Sequence, residues 1–247
     1  MIKIGINGFG RIGRLAFRSA INRDNIEIVA INDLTENATL CNLFKYDSVH
    51  GKFNGTVTAD ENSLTINGNK VTVLSERDPE KLPWKSLEVD VVIESTGHFR
   101  TPELANKHII AGAKKVILSA PAKSGNIKTV VMGVNEDILD GTETIVSNAS
   151  CTTNCAAPMI KLIDDLCGIQ HGFLSTIHSY TSIQNLHDGP HKDLRRGRAA
   201  AMNIVPTSSG ATSTVIKVIG RFVCSIPSVK LYSFLMGCLY LPYLLFS

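Results

Sequence analysis

The residues around Cys151 have the pattern of an activated cysteine. An apolar run over residues 144–147 leads into the letters NASCTTNCAAP at 148–158, and an apolar-periodic stretch follows at 159–166. Ser150 is a residue type that starts helices, so we expect Cys151 to lie on the first turn of a helix. The positive end of the helix dipole favours the thiolate, which is the reactive form of cysteine. The pattern therefore predicts that Cys151 is a nucleophile.

A nucleophilic cysteine needs a base, and His178 is the histidine best placed to supply one. Residues 173–178 have the pattern of a strand that carries His178 at its C-terminal end, where sites gather in α/β proteins. From the residues alone, a partly buried structural histidine is an equally good interpretation. We expect five other histidines, in loop-like or polar surroundings, to be solvated: His50, His98, His108, His187 and His191.

The other cysteines have the pattern of structural residues. Cys155 lies one helical turn after Cys151 and is expected to face the core, and Cys41 and Cys167 are interpreted as buried in the same way. The spacing of Cys151 and Cys155 is not that of a zinc-binding pair, so no metal site is predicted.

A glycine-rich motif predicts a dinucleotide site. The letters GFGRIG at 8–13 fit G-x-G-x-x-G, follow an apolar run and open a helical pattern. Asp33 lies 20 residues after the last of these glycines, at the end of a second predicted strand, and a carboxylate at this offset can accept hydrogen bonds from a ribose. The helix N-terminus would offer its N–H groups to phosphates. Because Asp33 would repel a 2′-phosphate, the pattern favours NAD over NADP; the alternative is a glycine-rich turn with a chance acid downstream.

The elements that must position these residues predict an α/β fold. Apolar runs alternate with helical patterns over the first 150 residues, which is typical of parallel strands buried on both faces. The predicted strands are 2–6, 26–32, 89–94, 116–119, 129–133 and 144–147, and the predicted helices are 11–22, 37–44 and 101–111. Alternation over 53–74 predicts an inserted antiparallel hairpin. A doubly wound Rossmann-type parallel sheet is the architecture that fits.

Composition excludes several classes of protein. The 247 residues are 44% hydrophobic and 19% charged, which is unlike a disordered chain or a coiled coil. The net charge of +3 does not indicate a nucleic-acid or membrane partner. Met1 is followed at once by a strand pattern, so no leader is predicted, and we expect a cytoplasmic protein.

Two later segments differ from the rest. The segment 192–198, KDLRRGR, packs four cations into seven residues, and PTSSG follows at 206–210. These residues suit a phosphate, although a solvated loop at a subunit interface fits them also. Residues 231–247 contain no Asp, Glu, Lys or Arg over 17 positions. That is short of the roughly 20 residues of a membrane helix, and Pro242 interrupts them, so a membrane anchor is the less favoured interpretation.

Together the motifs resemble those of the phosphorylating glyceraldehyde-3-phosphate dehydrogenases. The matching segments are INGFGRIGR at 6–14, ASCTTNCAAP at 149–158, HSYT at 178–181 and DGPHKDLRRGRAAAMNIVPTSSGA at 188–211. The resemblance implies NAD-dependent oxidation and phosphorylation of glyceraldehyde 3-phosphate to 1,3-bisphosphoglycerate in glycolysis. It also implies a cytoplasmic homotetramer, in which a cysteine thiohemiacetal and a thioester form in turn.

The resemblance also implies roles for individual residues. Cys151 would be the nucleophile and His178 the general base. The residues that would contact NAD are Gly10, Arg11, Ile12, Asp33, Arg77 and Ser119. The residues that would hold substrate and phosphate are Ser150, Thr152, Thr181, Arg196, Ser209 and Gly210. Ser209 stands where the family usually has Thr, which keeps the hydroxyl.

The resemblance stops near Ile219, which divides the chain into three expected parts. These are an NAD-binding domain at 1–150, a truncated α+β catalytic domain at 151–219 and a divergent apolar tail at 220–247. The family's arginine for the substrate phosphate and asparagine for the nicotinamide have no counterpart here. A frameshift, a misplaced intron or a damaged gene copy would produce this change, and we expect a poor catalyst or none. Two alternatives stay open: an erythrose-4-phosphate dehydrogenase, and a non-catalytic NAD-binding protein.

Overall fold

The computed structural model describes residues 1–170 and 172–220 and the backbone of residues 229–233. These residues form two compact units. The first contains Met1–Lys128 and Ile138–Asn148, and the second contains Thr129–Asp137 and the described residues from Ala149 onward. The predicted apolar tail at 220–247 therefore lies mostly outside the described residues.

The first unit is built on a large, mostly parallel sheet. Its strands and those of a small hairpin are β1 (Ile2–Asn7), β2 (Ile26–Asn32), β3 (Tyr46–Asp47), β4 (Gly51–Lys52), β5 (Val57–Ala59), β6 (Ser63–Ile66), β7 (Asn69–Leu74), β8 (Val91–Glu94), β9 (Lys115–Leu118), β10 (Lys128–Thr129) and β11 (Ile145–Ser147). The helices are α1 (Arg11–Ala20), α2 (Asn37–Lys45) and α3 (Pro102–Ile110). The sheet order is β10-β11-β9-β8-β1-β2-β7-β6-β5, and β3 pairs with β4 separately.

Strand order reverses beside β1, which is the mark of a doubly wound sheet. β1 pairs in parallel with β2 on one side and with β8 on the other, and β9 and β11 extend the parallel ladder. The predicted α/β class and Rossmann-type sheet are confirmed. The antiparallel insertion is also found, because β5, β6 and β7 pair in turn before β7 joins β2 in parallel. Of the strand predicted at 129–133, only Thr129 lies in a strand.

Apolar side chains on the two faces of this sheet form two cores. Ile4, Ile6 and Ile31 point to the face that α1 and α2 cover with Phe17 and Phe44. The opposite face carries the second cluster, whose fully buried members include Trp84, Val92, Ala105 and Leu118. Because successive strand residues point to opposite faces, continuous apolar strands are what a sheet covered on both sides requires.

His108 is buried, and the expectation that it is solvated is wrong. Its side chain on α3 is 0% exposed. Both ring nitrogens have partners: Trp84 Nε1 lies 3.0 Å from Nδ1, and Glu94 Oε2 lies 3.1 Å from Nε2. A buried polar ring is tolerated when it is hydrogen-bonded in this way, and the sequence gives no sign of these distant partners.

The second unit contains a long helix, a short helix and a small sheet. Its elements are α4 (Cys151–Cys167), β12 (Ser175–Ser179), β13 (Val205–Ser208), α5 (Ala211–Ile219) and β14 (Val229–Ser233). β14 lies between the other two strands, parallel to β12 and antiparallel to β13. Its five residues lie in the segment that was expected to be a divergent tail.

The expectation that Cys155 faces the core is wrong. Cys155 and Cys167 are exposed, and Cys41 is only half-buried. Ala156 and Ala157 occupy the buried side of α4, in a cluster with Val215 and Val218 of α5. The stripe of α4 that begins at Cys155 continues through three exposed apolar side chains, Met159, Leu162 and Leu166. Cys155, four positions after Cys151, thus falls on the outer stripe, because the small alanines are the ones that fit against α5.

Within the described part of the chain, no helix is long and apolar enough to cross a membrane.

Candidate active site

The glycine-rich turn after β1 has the steric form of a phosphate-binding loop. Gly8 has a φ of +91°, and a Cβ there would lie 2.7 Å from the backbone nitrogen of Thr96. A Cβ at Gly13 would lie 2.1 Å from the carbonyl oxygen of Gly8. Gly10 is the N-cap of α1, and no atom lies within 4 Å of a Cβ placed on it. Two glycines are therefore required by packing, while Gly10 faces the open space in which a ligand would lie.

A cleft of about 440 Å³ lies at the carboxyl ends of β1, β2 and β8. Gly10, Asp33 and Arg77, three of the predicted cofactor residues, line it together with Asn7, Thr96 and Phe99. Strand ends beside a switch point are where doubly wound sheets bind ligands. The residues present fit an adenine dinucleotide, since the open space at the N-terminus of α1 and the carboxylate of Asp33 lie in one cleft.

Asp33 has a structural contact besides its predicted role. Its Oδ2 accepts a hydrogen bond from the N–H of Phe9 at 2.7 Å, and its Oδ1 accepts one from the N–H of Thr35 at 3.0 Å. The carboxylate thus ties the glycine-rich turn to the end of β2. An ionised carboxylate has about four acceptor sites, so these two bonds leave capacity for ribose hydroxyls.

The other predicted cofactor residues, Arg11, Ile12 and Ser119, are not among the residues that line this cleft. Arg11 is paired with Asp47, with 3.1 Å between Nη1 and Oδ2. Partial burial raises the pKa of Asp47, but hydrogen bonds from the N–H groups of His50 and Val49 and from Arg11 outweigh it and hold that pKa well below its usual range. Ile12 is half-buried on α1. Ser119 follows β9, where its N–H donates to the carbonyl of Glu94 at 3.0 Å.

A tight turn delivers Cys151 to the start of α4. Ala149 has a φ of +57° and is 1% exposed, so a non-glycine residue holds a left-handed conformation here. Ser150 is the N-cap, and its Oγ accepts a hydrogen bond from the N–H of Thr153 at 3.1 Å. The cap confirms the helix start that the sequence predicts at Cys151. The role of Ala149 was missed, since alanine gives no sign of a positive φ.

Cys151 and His178 are in direct contact. The Sγ of Cys151 lies 3.3 Å from Nε2 of His178, and Nδ1 of His178 lies 2.6 Å from the carbonyl oxygen of Ser179. A carbonyl oxygen only accepts, so Nδ1 carries a hydrogen and Nε2 is left to exchange a proton with the thiol. Thr152 Oγ1 lies 4.0 Å from the same sulfur. This arrangement can generate a thiolate at Cys151. It also places His178 where it can move a proton on the group that the thiolate attacks.

The basic loop carries its own acidic partners. Asp193 accepts hydrogen bonds from Nε and Nη2 of Arg195 at 3.0 and 2.9 Å, and these lower the pKa of Asp193 to about 2. Arg198 pairs with Asp188 at 2.8 Å. Arg196 lies 3.7 Å from Asp193 and donates a hydrogen bond to Thr207 of β13. The half-buried Arg196 is thus fixed against the sheet, whereas Arg195 and Arg198 are exposed.

The remaining predicted substrate residues lie at two turns. The N–H of Thr181, just after β12, donates to Oε1 of Gln184 at 3.3 Å. Ser209 Oγ accepts a hydrogen bond from the N–H of Ala211 at 3.2 Å, and Gly210 is the N-cap of α5. Ser209 and Gly210 therefore lie at a helix start, which is suited to an anion.

Comparison with known proteins decides the family. Residues 2–102 match the family model described as "Glyceraldehyde 3-phosphate dehydrogenase, NAD binding domain", and residues 150–230 match the one described as "Glyceraldehyde 3-phosphate dehydrogenase, C-terminal domain". The chain belongs to the glyceraldehyde-3-phosphate dehydrogenase family. The resemblance stated from the motifs is confirmed, and the match to the dehydrogenase C-terminal domain continues past Ile219 into β14.

Curated glyceraldehyde-3-phosphate dehydrogenases are similar to most of the chain. One from Clostridium acetobutylicum is 55% identical over 221 residues, which cover 89% of this chain and 66% of that protein. One from Thermotoga maritima is 57% identical over 220 residues, covering 88% and 66%. One from Geobacillus stearothermophilus is 54% identical over 219 residues, covering 88% and 65%. The chain thus spans just under two thirds of the length of these dehydrogenases.

Proposed function

We propose that this chain carries the residues for NAD-dependent oxidation and phosphorylation of glyceraldehyde 3-phosphate to 1,3-bisphosphoglycerate. The observation that carries the proposal is the 3.3 Å contact between Cys151 Sγ and His178 Nε2 at the start of α4. A cysteine at a helix N-terminus beside an imidazole is a nucleophile with its base. The identity of the substrate, glyceraldehyde 3-phosphate, is inferred from the family to which the chain belongs.

Cys151 begins the reaction as the nucleophile. His178 Nε2 takes the thiol proton, the resulting thiolate attacks the aldehyde carbon, and the carbonyl oxygen takes up that proton from Nε2, which gives a thiohemiacetal. His178 Nε2 then accepts the hydroxyl proton while the carbon loses a hydride, so that the bound carbon becomes a thioester. NAD, when bound, supplies the acceptor for that hydride.

Inorganic phosphate completes the cycle. A phosphate oxygen attacks the thioester carbon, the carbon–sulfur bond breaks, and the Cys151 thiolate is released together with an acyl phosphate. Attack by phosphate instead of water retains the energy of oxidation in the product. The Nδ1–H of His178, held by the carbonyl of Ser179, keeps Nε2 directed at the sulfur in every step.

The cofactor residues are proposed from the cleft of the first unit. Gly10, Asp33 and Arg77 line it, and we assign them to NAD together with Arg11 and Ile12 at the start of α1 and Ser119 after β9. The carboxylate of Asp33 favours a free 2′-hydroxyl over a 2′-phosphate.

The substrate residues are proposed from the second unit. Ser150 and Thr152 flank the nucleophile, and Thr152 Oγ1 lies 4.0 Å from its sulfur. The assignment of Thr181, Arg196, Ser209 and Gly210 to substrate and phosphate rests on hydroxyl groups, a guanidinium and a helix start, which are groups that bind phosphate. Assembly as a homotetramer and a cytoplasmic location are part of the same proposal.

Steady-state assays test the proposal. NADH formation is measured with glyceraldehyde 3-phosphate, with and without phosphate, for residues 1–247 and for a longer version in which the relatives' C-terminal segment replaces 220–247. We expect phosphate-dependent activity in the longer version, a large loss of kcat/KM in the 247-residue chain, and none in either after C151S. Absence of activity in both, with NAD binding retained, would overturn the reaction in favour of a non-catalytic NAD-binding protein.

Erythrose 4-phosphate in the same assay tests the alternative that the chain is an erythrose-4-phosphate dehydrogenase. Higher kcat/KM for erythrose 4-phosphate than for glyceraldehyde 3-phosphate would transfer the proposal to that substrate. Equal kcat/KM for the 247-residue chain and the longer version would show that residues 220–247 substitute functionally for the relatives' segment.

A further inference from the structure

Glu94 is a buried carboxylate for which the proposed reaction has no use. It is the last residue of β8 and is 2% exposed. Its Oε2 accepts hydrogen bonds from Asn7 Nδ2 at 2.6 Å and from His108 Nε2 at 3.1 Å. Its Oε1 accepts hydrogen bonds from the N–H of Thr96 at 2.8 Å and from the Thr96 hydroxyl. Four donors on two oxygens is the full set that an ionised carboxylate accepts.

His108 cannot change its role in this network. The indole Nε1 of Trp84 only donates, and it lies 3.0 Å from Nδ1 of His108. Nδ1 must therefore be the acceptor, so the ring hydrogen lies on Nε2 and points to Glu94. Each oxygen of Glu94 thus faces at least one group that can only donate a hydrogen bond. An N–H or O–H group placed at either oxygen position would therefore face another donor.

The same carboxylate holds two residues of the nucleotide cleft. Asn7 and Thr96 both line the cleft. The hydroxyl of Thr96, while donating to Glu94, accepts the N–H of His98 at 3.1 Å, which fixes the turn that follows β8. The backbone of this turn leaves no room for a Cβ at Gly8. A shift of the turn would therefore move the glycine-rich loop with it.

Asn7 links Glu94 to residues at the end of β2 and after β7. Its Oδ1 accepts a hydrogen bond from Asn32 Nδ2 at 2.7 Å. Asn32 in turn accepts the N–H of Glu76 at 2.8 Å and donates to the Glu76 carbonyl at 2.8 Å. Glu94 thus lies beneath a chain of hydrogen bonds that crosses the ends of β8, β1 and β2.

We propose that Glu94 is a positioning residue for binding the adenosine diphosphate half of a dinucleotide. Its carboxylate sets the Asn7 amide and the turn after Thr96 before the ligand arrives, so that the ligand does not have to order them. The proposal rests on the proposed NAD function and adds a residue that does not touch the ligand. Desolvating a carboxylate is costly, and here the donors that offset that cost come in part from the wall of the cleft.

The first test is E94Q, with ADP-ribose and NAD as ligands in calorimetric titrations. The amide nitrogen of glutamine must face either Asn7 and His108 or the two donors of Thr96, so one pair loses its acceptor. We expect about a tenfold loss of affinity, equal for both ligands, because one charge-assisted contact to the cleft wall is broken. ADP-ribose isolates the half of the cofactor that this cleft would hold.

V92A is the matched control for stability. Val92 lies two residues before Glu94, so its side chain points to the same face of the sheet, and it is 0% exposed in an apolar cluster. We expect V92A to lower Tm by an amount similar to E94Q while the affinity for ADP-ribose stays within about twofold. Equal losses of affinity in E94Q and V92A at equal Tm would overturn the positioning role.

T96V and T96S provide a second route if E94Q does not fold. T96V keeps the shape and removes the hydroxyl that joins Glu94 to the turn, whereas T96S keeps the hydroxyl. We expect T96V to weaken ADP-ribose binding and T96S to retain it, and E94Q to cost less affinity in the T96V background than alone. Additive losses would overturn the proposal.

If the unaltered chain bound neither ligand, the NAD function would fail as well, whereas binding that E94Q leaves unchanged would defeat this proposal alone.

Discussion

Nε2 of His178 lies 3.3 Å from the sulfur of Cys151, and the carbonyl of the next residue, Ser179, holds the opposite ring nitrogen. The backbone of its own strand thus orients the histidine. Since β12 fixes both the side chain and the carbonyl, the strand itself sets which nitrogen faces the thiol.

Cys151 is predicted to be the most reactive thiol of the chain. Cys155 and Cys167 are exposed and Cys151 is half-buried, so accessibility alone would favour the other two. We expect limiting iodoacetamide to label Cys151 first, because the helix start and His178 both favour its thiolate. Peptide mapping by mass spectrometry measures the order.

H178N is the control for this experiment, and it should slow the labelling of Cys151 by about tenfold while that of Cys155 stays unchanged. Faster labelling of Cys155 or Cys167 in the unaltered chain would refute the assignment.

Asp33 is predicted to set the preference for NAD over NADP. Its carboxylate would lie against a 2′-phosphate, so D33N should shift the NADP-to-NAD affinity ratio toward NADP by about tenfold or more. D33A should shift the ratio in the same direction. D33A should also weaken the binding of NAD, because the N–H of Phe9 loses its acceptor. Calorimetric titration of both cofactors measures the ratios, and equal affinity of the unaltered chain for both would contradict the prediction.

Asp193 is predicted to make the stability of the protein fall as the pH becomes acidic. The hydrogen bonds from Arg195 lower its pKa from the ordinary 3.8 to about 2. A carboxyl group with a lowered folded-state pKa stabilises the fold above pH 3.8, and this contribution is lost as pH falls through 2. The effect is small because Asp193 is only half-buried and its partner Arg195 is exposed to solvent.

D193N removes this contribution, so thermal unfolding from neutral pH into acid tests it. The unaltered chain should have a slightly higher Tm than D193N near neutral pH, and the difference should shrink below pH 3.8. A Tm difference that stayed constant or grew in acid would contradict the assigned cause.

The outer stripe of α4 is predicted to cause self-association. Met159, Leu162 and Leu166 are 53%, 70% and 85% exposed, and contiguous exposed apolar surface promotes association. L162Q with L166Q should raise the soluble fraction and reduce light scattering, while the free energy of unfolding changes by no more than about 0.5 kcal/mol for each substitution.

A156Q on the buried side of α4 is the matched control. Ala156 is 3% exposed, so overpacking there should cost about 1–3 kcal/mol and should not improve solubility. Unchanged scattering after L162Q with L166Q would show that this stripe is not the surface responsible.

The sequence alone determined the class of fold and the two local motifs. Apolar runs predict strands because parallel strands are buried on both faces, and β2 has the bounds that its pattern predicts, Ile26–Asn32. The glycine spacing predicts the turn after β1, and Ser150 predicts the start of α4, because both signals lie within a few residues of the structure that they specify.

Tertiary structure decided the rest, because it depends on contacts between residues far apart in the chain. Cys155 is exposed since the neighbouring alanines fit against α5, which lies more than 50 residues later. His108 is buried since Trp84 and Glu94, in other segments of the chain, satisfy its two nitrogens. Ala149 adopts a positive φ that no alanine would choose alone. Local patterns carry the periodicity of burial and the start of a helix, but only the folded chain determines which distant donor meets which acceptor.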